Sequence, residues 1–392
     1  MFRNATVALS IFTIVLAMFS GVLDAKAFDS TVSPKWIKTI HGYLDAGEVY
    51  MDGSLHITTY TEEPYAAYYA RISPFGHIRE QYRIRRAEEV YTVSLAKGRF
   101  AGVCYNNSND KEFVNVYTWG GRLLWTLEEP ENCYYTDAAL TKYGNLYILM
   151  ANESNHRAYL IKYDSRFNKV YTKEVVPSET PFGGYYYPYR LFVGEEDDVY
   201  TVIGYWRLTG FWCWVSEVQK FSSGGERVWA RIFSGTSSTV FSSLYYQCNN
   251  IREVSGKIFV GVSMWNATNP GWGWIYSCQG FLFMLDRETG SIVWQHSFPE
   301  IMQGDSWPYL YFDIGVSSNR VYALYSQGYS WETVAGSVIV LDFSGNILSA
   351  YSLNLPIPAS NVWIIRATRE GQVYLLGSKE SYTYIMGLGK IG

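Results

Sequence analysis

Charged residues are scarce in this sequence, and no stretch of it is basic. Asp, Glu, Lys and Arg make up 17% of the 392 residues, and the formal net charge is −4. Proteins that bind nucleic acid usually carry a basic patch or run. We therefore expect no nucleic-acid partner. A hydrophobic content of 48% argues in the same way against a disordered chain.

Signatures of common catalytic and metal sites are also missing. The five histidines are scattered, and the chain contains no H-E-x-x-H, no G-x-S-x-G and no phosphate-binding glycine loop. None of the five cysteines forms C-x-x-C, and no histidine stands at zinc-ligand spacing. We therefore predict no catalytic residue, no metal site and no cofactor.

Only the N-terminus contains a long apolar run. Residues 5–23 are nearly uncharged and follow Arg3, and the tripeptide A-K-A that ends at Ala27 has the form of a signal-peptidase site. We predict a signal peptide over residues 1–27 and an exported protein, secreted, at the cell surface or in a periplasm-type compartment. The alternative is an uncleaved anchor, since 19 apolar residues nearly span a bilayer. Only then would the protein contact a membrane.

Export would allow disulfides and glycans to form. We expect Cys104 to pair with Cys133, which would stabilise the fold by roughly 3 to 4 kcal/mol in the chain-entropy model. Cys248 is expected to pair with Cys213 or Cys278, and the sequence leaves that choice open. Three N-x-S/T triplets are candidate glycosylation sites: Asn106, Asn152 and Asn266.

One phrase recurs along the chain. GGRLLW ends at Trp125, GGERVW at Trp229 and TGSIVW at Trp294. Glycine permits the positive φ of a tight turn, and the alternating run after it favours a strand. With three looser copies, the aligned turn positions are 76, 121, 167, 225, 290 and 345. A second turn-plus-strand phrase, such as DGSLHI or EGQVYL, occurs seven times. The repeat therefore contains two hairpins, or four strands.

The last repeat lacks its Trp-bearing outer strand, and the segment 34–40, which includes Trp36, has that character without a hairpin before it. We predict a single all-β domain over residues 28–392. It is a seven-bladed β-propeller of four-stranded blades, and the N-terminal strand closes the ring by completing the last blade. Trp125, Trp229 and Trp294 are predicted to pack between blades.

The turn G-x-[ILV]-[ILV]-W followed by G-x-[LIV]-Y resembles the repeat of the quinoprotein-like, PQQ-type β-propeller superfamily. The resemblance covers most of the chain after residue 27 and implies the propeller fold. That superfamily includes cofactor-dependent alcohol dehydrogenases and non-enzymatic binding or scaffold propellers. Its enzymes carry adjacent cysteines at the cofactor, and some carry a C-x-x-C-H haem site, whereas this sequence has neither. The resemblance therefore implies a non-enzymatic member.

Aromatic residues are abundant, at 18% of the chain, and concentrate in the longer loops of one propeller face. Tyr and Trp offer large, stiff apolar surfaces with a polar tip, on which sugar rings stack and proteins dock. The alternative is that these rings pack on one another. The candidate ligand-binding residues are Trp206, Trp212, Trp265, Trp272, Trp274, Trp307, Trp331, Tyr186 and Tyr189.

These features predict an exported or cell-surface binding or scaffold module that engages a glycan or a surface protein. Two alternatives stay open. One is a carbohydrate-active enzyme that uses carboxylates on the same face, with Glu62, Glu63 and Asp305 as candidates. The other is a structural subunit of a surface assembly, in which neighbouring chains would bury the aromatic residues.

Overall fold

The computed structural model describes residues 30–107, 110–208, 212–234, 242–268, 275–303, 309–329, 332–355 and 362–392. These residues form β-strands, with one short 3-10 helix at Phe182–Gly184. Within this described part of the chain, no helix is long and apolar enough to cross a membrane.

The chain begins with two strands that pair far along the sequence, β1 (Ser30–Val32) and β2 (Trp36–His41). It then folds into successive antiparallel meanders. Meander 1 consists of β3 (Tyr43–Val49), β4 (Leu55–Glu62), β5 (Tyr65–Ile72) and β6 (Ile78–Arg83). Meander 2 has a divided first strand and consists of β7 (Glu89–Val90), β8 (Ser94–Ala96), β9 (Arg99–Asn106), β10 (Lys111–Thr118) and β11 (Leu123–Glu128). Meander 3 consists of β12 (Cys133–Leu140), β13 (Leu146–Asn152), β14 (Arg157–Tyr163) and β15 (Lys169–Val175).

The next two meanders are joined in one nine-stranded sheet. Meander 4 consists of β16 (Tyr186–Val193), β17 (Val199–Leu208), β18 (Trp212–Phe221) and β19 (Arg227–Phe233). Meander 5 consists of β20 (Ser242–Val254), β21 (Lys257–Thr268), β22 (Ile275–Asp286) and β23 (Ile292–Ser297), and β24 (Ile301–Gln303) pairs with β22. A short parallel pairing between β18 and β20 connects the two meanders.

The last two meanders receive the N-terminal strands. Meander 6 consists of β25 (Tyr309–Val316), β26 (Arg320–Tyr329), β27 (Glu332–Asp342) and β28 (Ile347–Leu353). Meander 7 consists of β29 (Val362–Ala367), β30 (Gln372–Lys379) and β31 (Tyr382–Lys390). β1 pairs in parallel with β28, and β2 pairs antiparallel with β31, with Trp36 opposite Gly387.

The hydrophobic core is divided into clusters that lie between successive meanders. Leu149 of meander 3 packs with Ile203 of meander 4 in one such cluster. In another, Leu376 of meander 7 packs with Leu44 and Ile57 of meander 1. Each sheet therefore buries both of its faces, which explains why its central strands are almost continuously apolar.

Aromatic side chains of the outer strands repeat one packing role. The Trp229 ring lies over Gly290, where an added Cβ would come within 2.6 Å of the ring, and Trp294 lies in the same way over Gly345, at 3.0 Å. The indole N–H of Trp229 donates to the Arg287 carbonyl at 2.9 Å. Both glycines have positive φ, as the turn pattern predicts.

Trp125 also packs over the turn of the next repeat, but the turn position there is Phe167 instead of a glycine. It stacks on Phe167, with ring centroids 5.2 Å apart and planes at 12°, and Phe167 itself has positive φ. Together with Trp229 and Trp294, this contact confirms the predicted packing between repeats.

The expected disulfides do not form, because each of the five cysteines belongs to a different part of the core and none is in a disulfide. Cys104 packs between meanders 1 and 2, while Cys133 packs between meanders 2 and 3, so the sheet of meander 2 separates them. Cys213, Cys248 and Cys278 lie in three further clusters. The predictions of a Cys104–Cys133 bridge and of a Cys248 bridge are therefore wrong.

Candidate functional site

A continuous row of aromatic rings crosses meanders 4 and 5. We call it the aromatic ladder, and in spatial order it contains Phe182, Trp212, Trp206, Trp214, Tyr245 and Trp265. Successive ring centroids are 4.8, 5.9, 5.4, 5.5 and 5.6 Å apart. These separations are those of favourable stacked and edge-to-face aromatic pairs.

Strand register explains how the ladder forms. Trp206 of β17 lies opposite Trp214 of β18, which lies beside Tyr245 of β20. Tyr245 in turn lies opposite Trp265 of β21. Residues directly across from each other on neighbouring strands have their side chains in contact. The parallel pairing of β18 with β20 is therefore what joins the aromatic residues of the two meanders.

The ladder has an exposed end and a buried middle. Phe182 and Trp212 are 48% and 47% exposed, and the neighbouring Tyr187, which stacks on Trp214, is 45% exposed. Trp214 is half-buried and packs so closely on Gly204 that a Cβ there would lie 2.4 Å from the ring. Ring surface for a ligand is thus concentrated near Trp212, while Trp214 supports the sheet from within.

The arginine next to Trp206 is held by polar contacts on the other face of the strand, because successive strand residues point to opposite faces. Arg207 follows Trp206 on β17, and its Nη1 lies 3.2 Å from Glu179 Oε2. Its Nη2 donates to Ser234 Oγ at 2.8 Å. Arg207 Nε is buried and has no hydrogen-bond partner among the described residues.

The other predicted ligand-binding residues have different surroundings. Tyr186 is only 9% exposed and belongs to the cluster between meanders 3 and 4. Tyr189 is half-buried, its hydroxyl is hydrogen-bonded to Ser216 Oγ, and burial raises its pKa. Four tryptophans lie outside the described residues: Trp272, Trp274, Trp307 and Trp331.

The candidate glycosylation sites lie at two kinds of position. Asn106 and Asn152 are the last residues of β9 and β13, and the Asn152 amide donates to Cys133 Sγ at 3.3 Å. Asn266 is internal to β21 and is flanked by β20 and β22.

A second feature is a cavity of about 800 Å³. It is lined by residues from the first strand of every meander, such as Glu48, Asp137, Arg190, Arg252, Asp313 and Arg366. Trp265 also lines it, so one end of the aromatic ladder reaches the cavity.

Ion pairs cross this cavity. Arg252 Nη2 of meander 5 lies 2.6 Å from Glu48 Oε2 of meander 1, and Arg366 Nη1 lies 2.7 Å from Asp313 Oδ2. Burial disfavours the charge on Glu48, but Arg252 and Arg366 together hold its pKa below the ordinary value. These groups neutralise one another and brace the first strands.

Aspartates on the first strands bind the backbone of the following meanders. Asp137 accepts hydrogen bonds from the amides of Ala138 and Leu191, both at 2.8 Å. Asp313 accepts from the Ile365 amide at 3.0 Å. Burial raises the pKa of Asp137 to about 6, although the charge of Arg190 opposes this shift. These carboxylates therefore have a structural role.

A serine–histidine contact also occurs, but it is closed to substrates. Ser54 Oγ lies 2.9 Å from His56 Nε2, and Tyr69 is bonded to the other ring nitrogen. Ser54 and His56 are fully buried, and burial lowers the pKa of His56 to about 3. A buried, neutral histidine with no access from solvent serves packing, not catalysis.

Two of the three candidate carboxylates for glycoside chemistry lie in the described part of the chain. Glu62 ends β4 and Glu63 stands in the turn after it, and both are exposed, whereas Asp305 lies outside the described residues. Across the described part of the chain, no group of three or more His, Cys, Asp or Glu converges as metal ligands.

Strand order and core clusters define an all-β protein of the β-propeller class. No protein-family model matches the chain, and no curated protein matches it. Solved structures with a similar fold include a prolyl endopeptidase, with a TM-score of 0.52 and 10% identity over 89% of this chain and 48% of that chain. This chain thus corresponds to about half of that protein, and at such identity the likeness shows the fold alone.

Two further solved structures are similar over most of their length. One is the β-propeller domain of the Trilobed protease from Pyrococcus furiosus, with a TM-score of 0.47 and 9% identity over 90% of this chain and 97% of that chain. The other is a protein of unknown function from Bacteroides caccae, with a TM-score of 0.40 and 13% identity over 80% and 93%.

Proposed function

We propose that the seven meanders are the blades of a closed seven-bladed propeller, with β2 as the outer strand of the last blade. Two observations support ring closure: β2 pairs with β31, and meander 7 packs on meander 1 through Leu376 and Leu44. The recurring turn-and-Trp phrase supports membership of the PQQ-type superfamily, and the lack of adjacent cysteines and of C-x-x-C-H in the sequence supports a non-enzymatic member without quinone, haem or metal.

We further propose that the protein is an exported binding module and that its ligand is a glycan held on the aromatic ladder. The carrying observation is the exposed end of the ladder, where Phe182 and Trp212 are in edge-to-face contact and each leaves nearly half of its surface accessible. Export rests on the signal-like residues 1–27.

The arrangement favours a glycan over a protein partner for two reasons. The exposed rings, Phe182, Tyr187 and Trp212, are few and lie at one end of the ladder, which suits the stacking of a sugar ring. Protein interfaces instead centre on a compact hydrophobic patch with a polar rim. A scaffold role for a surface protein stays the alternative outcome of the test.

The test is a glycan array followed by calorimetry with the wild-type protein, Trp212→Ala and a control. Losing one stacked ring should weaken binding by about 1 to 3 kcal/mol, which is a factor of roughly 5 to 150. Phe75→Ala is the matched control, because Phe75 is 72% exposed in the turn between β5 and β6, outside the ladder. It should bind like the wild type.

Equal binding by wild type and Trp212→Ala would show that the ladder is not the site. Protein capture that depends on Trp212, without glycan binding, would favour the scaffold alternative. Hydrolysis of a bound glycan that disappears in Glu63→Gln would favour the enzyme alternative.

A further inference from the structure

We propose that the cavity binds a carboxylate-bearing sugar at the end of the glycan and that Arg190 is the residue that binds its carboxylate. This inference rests on the proposed function, because the ladder is taken to hold the rest of the same ligand. It adds a specificity for acidic saccharides that the ladder alone does not supply.

The first step of the argument is continuity between the two features. Trp265 is both the last ring of the ladder and a lining residue of the cavity. Arg190 lines the same cavity from β16. One end of the ladder and Arg190 therefore border the same space.

The second step concerns distance. In β16 a bulge at Tyr189 directly precedes Arg190, and in β20 a bulge at Asn249 directly precedes Asn250. Arg190 and Asn250 therefore occupy equivalent positions on the first strands of neighbouring meanders. Asn250 pairs with Gly261, and Trp265 stands four residues further along β21. At about 3.3 Å per residue, the ring is ~13 Å along the strand from the level of Arg190. An oligosaccharide can span this distance, whereas a single sugar cannot.

The third step is the availability of the Arg190 charge. Arg252 and Arg366 line the same cavity but are paired with Glu48 and Asp313. Arg190 is exposed and makes no ion pair or hydrogen bond with any described residue. Its guanidinium is therefore open to an incoming anion.

The fourth step is that the cavity carboxylates are already engaged. Backbone amides bind Asp45 and Asp137, ion pairs bind Glu48 and Asp313, and Glu253 lies 2.9 Å from Arg287. Burial raises the pKa of Asp137 while the charge of Arg190 opposes that shift, so the two groups attract each other without forming an ion pair. Among the described lining residues, Arg190 is therefore the arginine whose nearby carboxylate, Asp137, is held by backbone amides and not by an ion pair to it.

The ligand class follows from the geometry of that cation. A guanidinium presents parallel N–H donors that match the two oxygens of a carboxylate. A polyanion does not fit, because Arg190 is the one described cation near the middle of the first strands that forms no ion pair, and Glu48 and Asp313 lie nearby. A single terminal uronate-type residue is the best match.

The test compares an oligosaccharide ending in a uronate with its carboxyl-reduced, neutral form, using calorimetry on the full-length protein. Wild type should bind the acidic form at least tenfold more tightly. Arg190→Gln should lose this preference and keep the affinity for the neutral form. Arg190→Lys should keep only part of the preference, since it retains the charge without the planar donors.

Lys142→Gln is the matched control. Lys142 also lines the cavity, but from the turn after β12, where its Nζ lies 5.0 Å from the Tyr143 ring centroid. This variant should keep the full acidic preference. Circular dichroism and melting of each variant establish that it is folded.

The outcomes separate this inference from the proposed function. Equal binding of both oligosaccharides by wild type, or an acidic preference that survives in Arg190→Gln, overturns the role of Arg190 and leaves the ladder intact. A free monosaccharide acid that binds as tightly as the oligosaccharide overturns the continuity of the two sites. Failure of both oligosaccharides to bind overturns the proposed function and this inference together.

Discussion

Trp36 and Gly387 face each other across the pairing of β2 with β31, and a Cβ on Gly387 would lie 2.3 Å from the indole ring. The same ring also lies over Gly76 of meander 1, where an added Cβ would be 2.8 Å away. One side chain near the start of the described chain therefore contacts both meander 7 and meander 1.

We predict that Gly387→Ala destabilises the protein by about 1 to 3 kcal/mol, because the rigid indole has to shift out of a packed position. Its backbone is not in the left-handed region, so the effect is steric. Urea denaturation measures it as a lower midpoint.

Gly120→Ala is the control for this substitution. Gly120 is exposed, and a Cβ there would approach no neighbour closer than 3.9 Å. Its stability should stay within about 0.5 kcal/mol of wild type. An equal midpoint for Gly387→Ala and wild type would contradict the packing of Trp36 as a constraint.

We predict that all five cysteines are thiols. Alkylation after unfolding should add the same five groups with or without prior reduction, as read by mass spectrometry. In the folded protein Cys133 should react first, because the other four cysteines are buried, and burial raises the pKa of Cys104 and of Cys278 to about 12. A thiol count that rises after reduction would reveal a disulfide.

Substitutions of two ladder tryptophans should have different effects on stability and on glycan binding. Trp214→Ala removes a half-buried ring from Gly204 and should cost about 3 kcal/mol of unfolding free energy. Trp212→Ala removes an exposed ring and should cost under about 1 kcal/mol while weakening glycan binding. Chemical denaturation and calorimetry on both variants test this division. Similar stability losses in the two variants would contradict it.

Asp137→Asn should change how stability depends on pH. The pKa of Asp137 is about 6 in the folded protein and 3.8 in the unfolded chain. The folded state therefore binds the proton more tightly than the unfolded state does. The stability gained from protonated Asp137 is fully present below pH 3.8 and is lost as the pH rises through about 6. The total loss of unfolding free energy is ~3 kcal/mol. The stability of the variant relative to wild type should therefore rise by about that amount between pH 4 and pH 7.

Denaturation of both proteins at several pH values measures this difference. Replacing a carboxylate oxygen by an amide nitrogen weakens the bond to the Leu191 amide, but that cost is present at all pH values. A pH-independent difference between the variant and wild type would show that Asp137 is ionised in the folded protein at pH 4 to 6.

The sequence predicted the local features and part of the site. Glycine turns at positions 225, 290 and 345 are readable because positive φ is a local requirement that few other residues meet. Trp229 and Trp294 are readable as packing residues because they stand at a constant distance from those turns. Trp206, Trp212 and Trp265 were predicted as binding residues from their density in long loops.

Tertiary structure alone decided how these pieces meet. Trp214 and Tyr245 complete the ladder only because β18 pairs in parallel with β20, and such a register between separate meanders leaves no local signal. The cysteines show the same limit. Alternation along a strand predicts which face of the sheet a side chain lies on. The neighbouring sheet that packs against that face is set by the order of the sheets in the fold. Cys104 and Cys133, close in sequence, are therefore separated by the sheet of meander 2.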